Sequence, residues 1–459
     1  MARTEQLAAA RPPSVGAESA RRHFAGLPAA MVREHLDPAN LRSFAQSSPG
    51  RLIALGLLLI GLCLAAGTVT AITVSDRQQA LDVMLDDTEP DAHSAHRLYT
   101  TLSIADAAAS TAFIAGGLEP EAVRDRYTQA VGEAAAELIT QSGHATQDPS
   151  DTSADARLRT GIATSLPVYT GLIETARTNN RIGNPVGAAY LSEASNQMQT
   201  TLLPMAEELQ DHRSAAVDSA QRHHIRPPWP AIVLPILALA VLVWAQVELA
   251  RRWRRTFNAG LLLASAAMLI LLGWTVIAGS VSAAAMIQGR DEGAVPASRL
   301  TESRILTQQA RSAETLKLVR RDATGDYDRT YDTGIVRLGE LLGGYPGDVP
   351  AADDAANARA ALDRWRAAHL RMNETLARGD FQGAAAVATG PGSADAAAQV
   401  DVLDRALDEG ITETRNTLRG NISQATGGLD FLAPGALILG ILAAGYVGLG
   451  LWPRLREYR

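Results

Sequence analysis

Two apolar runs, residues 229–249 and 259–287, are separated by nine residues, Ala250-Arg251-Arg252-Trp253-Arg254-Arg255-Thr256-Phe257-Asn258, of which four are arginine and none is acidic. A helix rises about 1.5 Å per residue, so roughly 20 apolar residues cover the ~30 Å hydrocarbon core of a bilayer. A short arginine-rich loop between two such helices is held on the cytoplasmic side. Two more runs of this kind occupy 52–75 and 432–452. Four spans with a cytoplasmic centre put both termini inside and both long connecting segments outside. The expectation is an all-α, multi-pass protein of the cell membrane with two extracytoplasmic antiparallel helical bundles.

In order, the expected parts are a cytoplasmic tail (1–51), a span (52–75), a first outer bundle (76–228) and a second span (229–249). The Arg-rich loop (250–258), a third span (259–287), a second outer bundle (288–431), a last span (432–452) and a short tail (453–459) follow. The cytoplasmic pieces carry fourteen arginines against five acids, and the outer pieces 28 basic against 43 acidic residues. Long outer segments influence orientation little, so the central loop carries the argument. The first run begins at residue 52 and is longer than the 7–15-residue core of a cleaved leader, so it reads as a retained anchor. The only cysteine, Cys63, lies inside it. No intrachain disulfide is possible, and the outer bundles must hold by packing alone.

Apolar residues in the first outer segment recur at helical spacing. Leu98, Leu102, Ala105, Ala109 and Phe113 form one stripe; Val123, Tyr127, Ala130, Ala134 and Leu138 another; Leu158, Ile162, Leu166, Tyr169 and Ile173 a third. The last, Leu191, Ser195, Met198, Leu202, Met205, Leu209, His212 and Ala216, alternates by four and three as a bundle seam does. Pro204 falls inside it and is expected to kink it. The second segment repeats the plan, with helices near 296–322, 326–343, 351–378 and 394–426. Tyr169 and Trp365 correspond at an offset of 196, and Tyr127 and Tyr331 at 204. The whole reads as a duplicated span–bundle–span hairpin.

Catalytic motifs are absent from the sequence: there is no Gly-rich phosphate loop, no metal-protease helix motif, no Cys pair and no Gly-x-Ser-x-Gly elbow. No enzyme activity and no cofactor is expected. His93 and His96, beside Asp91, and the group His212, His223 and His224 read as solvated or pH-tuned rather than metal-bound. The spans hold no ionisable residue near their middles, which disfavours a pump or carrier. Gly56, Gly61, Gly435, Gly440, Gly445 and Gly448 suit close helix packing. Two surfaces stand out as candidate partner sites. One is the polar joint with Asn179, Asn180, Arg181 and Asn184, followed by Tyr190. The other is Arg251, Arg252, Arg254 and Arg255, which set topology and could dock an acidic partner or anionic lipid headgroups.

Helical outer bundles continuous with spans resemble the sensor halves of bacterial chemoreceptor-type proteins. The four-span layout, with the stretch Arg177-Thr178-Asn179-Asn180-Arg181-Ile182-Gly183-Asn184-Pro185-Val186-Gly187-Ala188-Ala189-Tyr190-Leu191-Ser192-Glu193-Ala194-Ser195, more closely resembles the GlnX-like membrane proteins of actinobacteria. That resemblance implies a non-enzymatic relay between an extracytoplasmic amino-acid-binding lipoprotein and a cytosolic Ser/Thr kinase of the PknG type. A direct small-molecule sensor and an envelope scaffold or assembly factor are the alternatives. No nucleic-acid partner is expected, and a homo-oligomer stays open.

Overall fold

The computed structural model describes residues 48–115, 119, 121–144, 153–224, 229–253, 258–320 and 325–456. The N-terminal tail up to residue 47, Arg254 and Arg255 lie outside these. No strand occurs among the described residues. In chain order the helices are α1 (Ser48–Val83), α2 (Glu89–Ala115), α3 (Glu121–His144), α4 (Ser153–Arg181), α5 (Val186–Gln197), α6 (Leu203–His224) and α7 (Trp229–Trp253). They continue as α8 (Ala259–Gln288), α9 (Val295–Arg320), α10 (Asp326–Gly343), α11 (Ala352–Ala377), α12 (Phe381–Thr389), α13 (Ala396–Gly427) and α14 (Leu432–Arg456). Three π-helical turns join consecutive α-helices without a break: π1 (Met84–Thr88), π2 (Met198–Leu202) and π3 (Gly289–Ala294). Among the described residues, four helices are long and apolar enough to cross a membrane.

Two compact units result. The smaller gathers the described residues up to Thr68, Val233–Leu272 and those from Ala436 onward. Its helices touch through glycine, where lipid offers no hydrophobic drive and backbone proximity supplies the packing. A Cβ on Gly67 would lie 2.8 Å from the Ala436 carbonyl oxygen and 2.9 Å from Gly440 Cα. One on Gly260 would lie 2.5 Å from Gly450 Cα. Asn258 fixes the latter contact: its amide donates to the Gly450 carbonyl at 2.7 Å and its side-chain oxygen accepts the Gly260 N–H at 3.1 Å. Of the glycines singled out in the sequence, Gly56, Gly435 and Gly440 meet neighbours, whereas Gly61, Gly445 and Gly448 face open space.

The larger unit comprises Val69–Ile232 and Gly273–Gly435, so both long connecting segments share one compact body. Each still builds its own core. In the first half, α2, α3, α4 and the α5–π2–α6 arm enclose Leu98, Leu102, Tyr169, Leu191, Met198 and Leu209. In the second, α9, α10, α11 and α13 enclose Tyr331, Leu338, Leu362, Trp365, Leu403 and Leu407. The stripes read from the sequence supply these cores because residues three and four apart share a helix face. The chain's only lysine, Lys317, is buried in the second half, where it donates to Asp328 at 2.6 Å and Asn373 at 2.8 Å. A further cluster, including Leu81, Met84, Val217, Met286, Leu418 and Ile422, draws on both halves.

Candidate functional site: a polar seam between two halves

The halves meet along α2 and α6 on one side and α9 and α13 on the other. Each π-turn lies on this seam, and each is followed two residues later by a proline: Pro90 after π1, Pro204 after π2, Pro296 after π3. Proline lacks an N–H, and its ring presses on the carbonyl four residues back. Those carbonyls belong to Asp86, Thr200 and Glu292, all inside the π-turns. Widening one turn accommodates the ring while the helix continues. At Pro204, expected to kink its helix, the structure shows π2 two residues before the ring. Proline alone is insufficient, since Pro167 and Pro235 sit within α4 and α7 where no π-turn forms.

Just past π1, Glu89 is buried and holds both arginines that face it from α13. Arg415 Nη2 donates to its carboxylate at 3.2 Å and Arg419 Nη1 at 2.7 Å, with a further short bond from Arg415 Nε. Arg419 Nη1 also donates to the Leu85 carbonyl, inside π1, at 2.9 Å. On the opposite helix, π3 approaches α13 so closely that a Cβ on Gly293 would lie 2.8 Å from Leu418 Cα. A charged clamp and a glycine contact therefore fasten both joints to one stretch of α13.

Beyond the clamp lies a cavity of about 500 Å³ with walls from α2, α6, α9 and α13. His93 and His96 enter from α2, Gln210 from α6, and Ile305 and Gln309 from α9. Gln309 donates to Tyr99 Oη across the halves at 2.9 Å. Burial lowers the His96 pKa to about 3, aided by the Arg304 charge, and lowers that of His93 to about 4, aided by Arg415. Both rings are neutral near pH 7. Of the two readings the sequence left open, solvated or pH-tuned, His96 is not solvated: it is buried and its pKa is shifted by that burial. His212 keeps some exposure and meets Asp155 at 3.0 Å; the side chains of His223 and His224 lie outside the described residues.

Farther along α2, the fully buried Asp106 accepts from Ser195 at 3.1 Å, Gln199 at 3.2 Å, Ser312 at 3.4 Å and Tyr169 at 3.5 Å. Gln199 belongs to π2, and Ser312 to the other half; the two also bond each other at 3.2 Å. Burial without a neighbouring cation pushes the Asp106 pKa up to about 6, against the opposing pull of the four donors.

The sequence-predicted joint is a tight turn. Asn184 Nδ2 donates to Asn179 Oδ1 at 2.9 Å, Asn179 Nδ2 to the Thr175 carbonyl at 2.9 Å, and Asn180 Nδ2 to the Phe113 carbonyl at 3.4 Å. Gly183 adopts φ +72°, the left-handed conformation such a turn needs. Arg181, Ile182 and Tyr190 remain exposed around it. Arg251 is exposed at the end of α7, beside Arg252. Sequence reasoning missed Glu89, Asp106 and the arginines of α13. A lone acid within Ile104-Ala105-Asp106-Ala107-Ala108 was a readable signal; pairs 326 residues apart, such as Glu89 and Arg415, leave none.

Residues 80–222 match the actinobacterial sensor domain family. The match covers the first half of the larger unit, with Glu89, His96, Asp106 and the 177–195 stretch inside it. No curated protein and no solved structure matches the chain. The likeness points to a sensing or signalling role for this multi-pass membrane protein.

Proposed function

We propose that the protein is a non-enzymatic transmembrane relay whose larger unit senses a signal outside the cell and whose span ends present it inside. The observation that carries this reading is the pair of unbroken helices, Gly50–Ile114 and Ala259–Arg320, each interrupted only by a π-turn at the matching point. A signal can shift such a device only by binding its two arrangements unequally. The seam supplies what must differ: the Glu89 clamp, the cavity and the Asp106 cluster. Sliding or turning α2 against α13 would carry π1 and π3 with it and displace both span helices.

The finer reading follows the resemblance to GlnX-like proteins. An amino-acid-binding lipoprotein docks outside on the exposed Arg181 and Tyr190 surface, Asn179, Asn180 and Asn184 shaping the turn beneath it. A cytosolic Ser/Thr kinase engages the inner surface of Arg251, Arg252, Arg254 and Arg255. The sensor-domain match over 80–222 includes that surface and supports a sensing role for it. Crosslinking the full-length protein in cells and identifying what it retains tests it. A solute-binding lipoprotein together with a soluble kinase is the expected recovery. Recovery of wall-synthesis or division proteins alone would favour a scaffold instead. The cavity favours a second reading, direct binding of a small molecule.

A further inference from the structure

The cavity wall contains a polar atom that the protein leaves unused. His96 and Gln210, 5% and 9% exposed, lie side by side and share one side-chain interaction, which leaves the second ring nitrogen of His96 without a hydrogen-bond partner. Buried polar groups are almost always paired, since each unpaired one costs the hydration it gave up. Such a nitrogen, in the wall of a cavity, marks a place where something else completes the bonding. With the N–H of neutral His96 turned to Gln210 Oε1, its other ring nitrogen is an acceptor.

Charge narrows the class of occupant. Glu207, Asp211 and Asp218 reach the cavity from α6 and Glu302 from α9, so acids come from both halves. Arg415 is the cation in the wall, and Glu89 already holds it. The rest of the lining is apolar, including Val217, Ile305, Leu306 and Ile411. A cavity of about 500 Å³ suits a molecule of amino-acid size or somewhat larger. We infer that the seam cavity binds a small organic cation, an amine with an aliphatic body, whose ammonium group lies among the acids and donates to the free ring nitrogen of His96, which Gln210 orients.

Because the walls belong to both halves, an occupant touching α2, α6 and α9 together ties its binding to their relative positions. This deepens the sensing reading and rests on it for the ligand's purpose, while binding itself is a separate measurement. A matched pair of five-carbon probes decides the sign of the charge. Cadaverine and glutarate are titrated calorimetrically into the full-length protein in a neutral detergent. Cadaverine is expected to saturate one site per chain and glutarate to give no saturable heat. The double variant His96→Leu/Gln210→Leu should raise the cadaverine Kd at least about tenfold, the loss of roughly one good hydrogen bond. Glu207→Gln/Asp211→Asn, at exposed positions that do not threaten folding, should weaken it similarly. Glutarate binding in place of cadaverine, no saturable binding of either, or cadaverine binding unchanged in both variants would overturn the inference. Such a failure would leave the relay standing, since that is judged by motion at the span ends.

Discussion

Asp106 and Glu314 occupy matching places in the two halves, on the first helix of each, but only Glu314 has an arginine beside it. Glu314 receives Trp365 Nε1 at 3.2 Å, His369 Nδ1 at 2.9 Å and Arg311 Nη1 at 2.8 Å. Asp106 receives Tyr169, the counterpart of Trp365, and otherwise hydroxyl and amide groups. Tyr127 and Tyr331, the other pair matched in sequence, are both buried on the second helix of their half. A duplicated bundle has thus kept its buried acid and aromatic partner while changing the charge around them.

The pH dependence of stability should expose this difference. The folded-state pKa of Asp106 is about 6, above the ordinary aspartate value of 3.8. Between those values the folded protein holds more protons than the unfolded chain, so stability falls as pH rises through the window and levels off above 6. The whole effect is on the order of 3 kcal/mol. Asp106→Asn removes the titration. Its thermal midpoint relative to wild type should climb from pH 4 to 6 and stay level above. A difference independent of pH would show that Asp106 does not titrate in this range.

Glu314 should behave in the opposite way. Burial alone would raise its pKa, but the bond from His369 and the charge of Arg311 outweigh burial and hold it below the usual carboxylate range. Its stabilising contribution is present above the unfolded pKa and is lost as acid protonates it. Glu314→Gln leaves Arg311 and His369 without their anion and should cost about 3–5 kcal/mol near pH 7. Denaturant unfolding would read this, with Trp365 fluorescence reporting the same transition.

Gly293 tests the joint. An alanine Cβ there meets the backbone of Leu418, which cannot swing aside. Gly293→Ala should destabilise the larger unit by about 1–3 kcal/mol through forced separation of π3 and α13. Gly132→Ala on α3 faces open space and should be neutral or stabilise by up to about 1 kcal/mol through helix propensity. Equal effects at the two sites would remove the close contact from the account.

Periodicity made the helices legible. The stripes through Leu98–Phe113, Tyr127–Leu138, Ile162–Ile173 and Leu191–Leu209 all line the first core. In the second segment only the nine-residue α12 was unforeseen, because it is too short to show a repeating face. The union of both segments in one body was not legible. It rests on cross-half bonds such as Glu89 to Arg415 and Tyr99 to Gln309, between residues unremarkable on their own helices. The π-turns were half legible: Pro204 drew notice as a breaker, but only the placement of Pro90 and Pro296 reveals a shared joint.

The central claim is that the seam sets the arrangement of the span ends, and Glu89 is the place to perturb it. Glu89→Gln removes the anion that holds Arg415 and Arg419, and the freed arginines should loosen π1 from α13. Spin labels at Arg51→Cys and Ala259→Cys, both exposed positions, in a Cys63→Ala background report the far ends of α1 and α8, the spans that run through π1 and π3 into the seam. Hydrogen exchange at residues 84–96 confirms that the clamp has opened. The distance distribution between the labels should shift or gain a second population in the Glu89→Gln protein. An unchanged distribution with the clamp demonstrably open would contradict that claim.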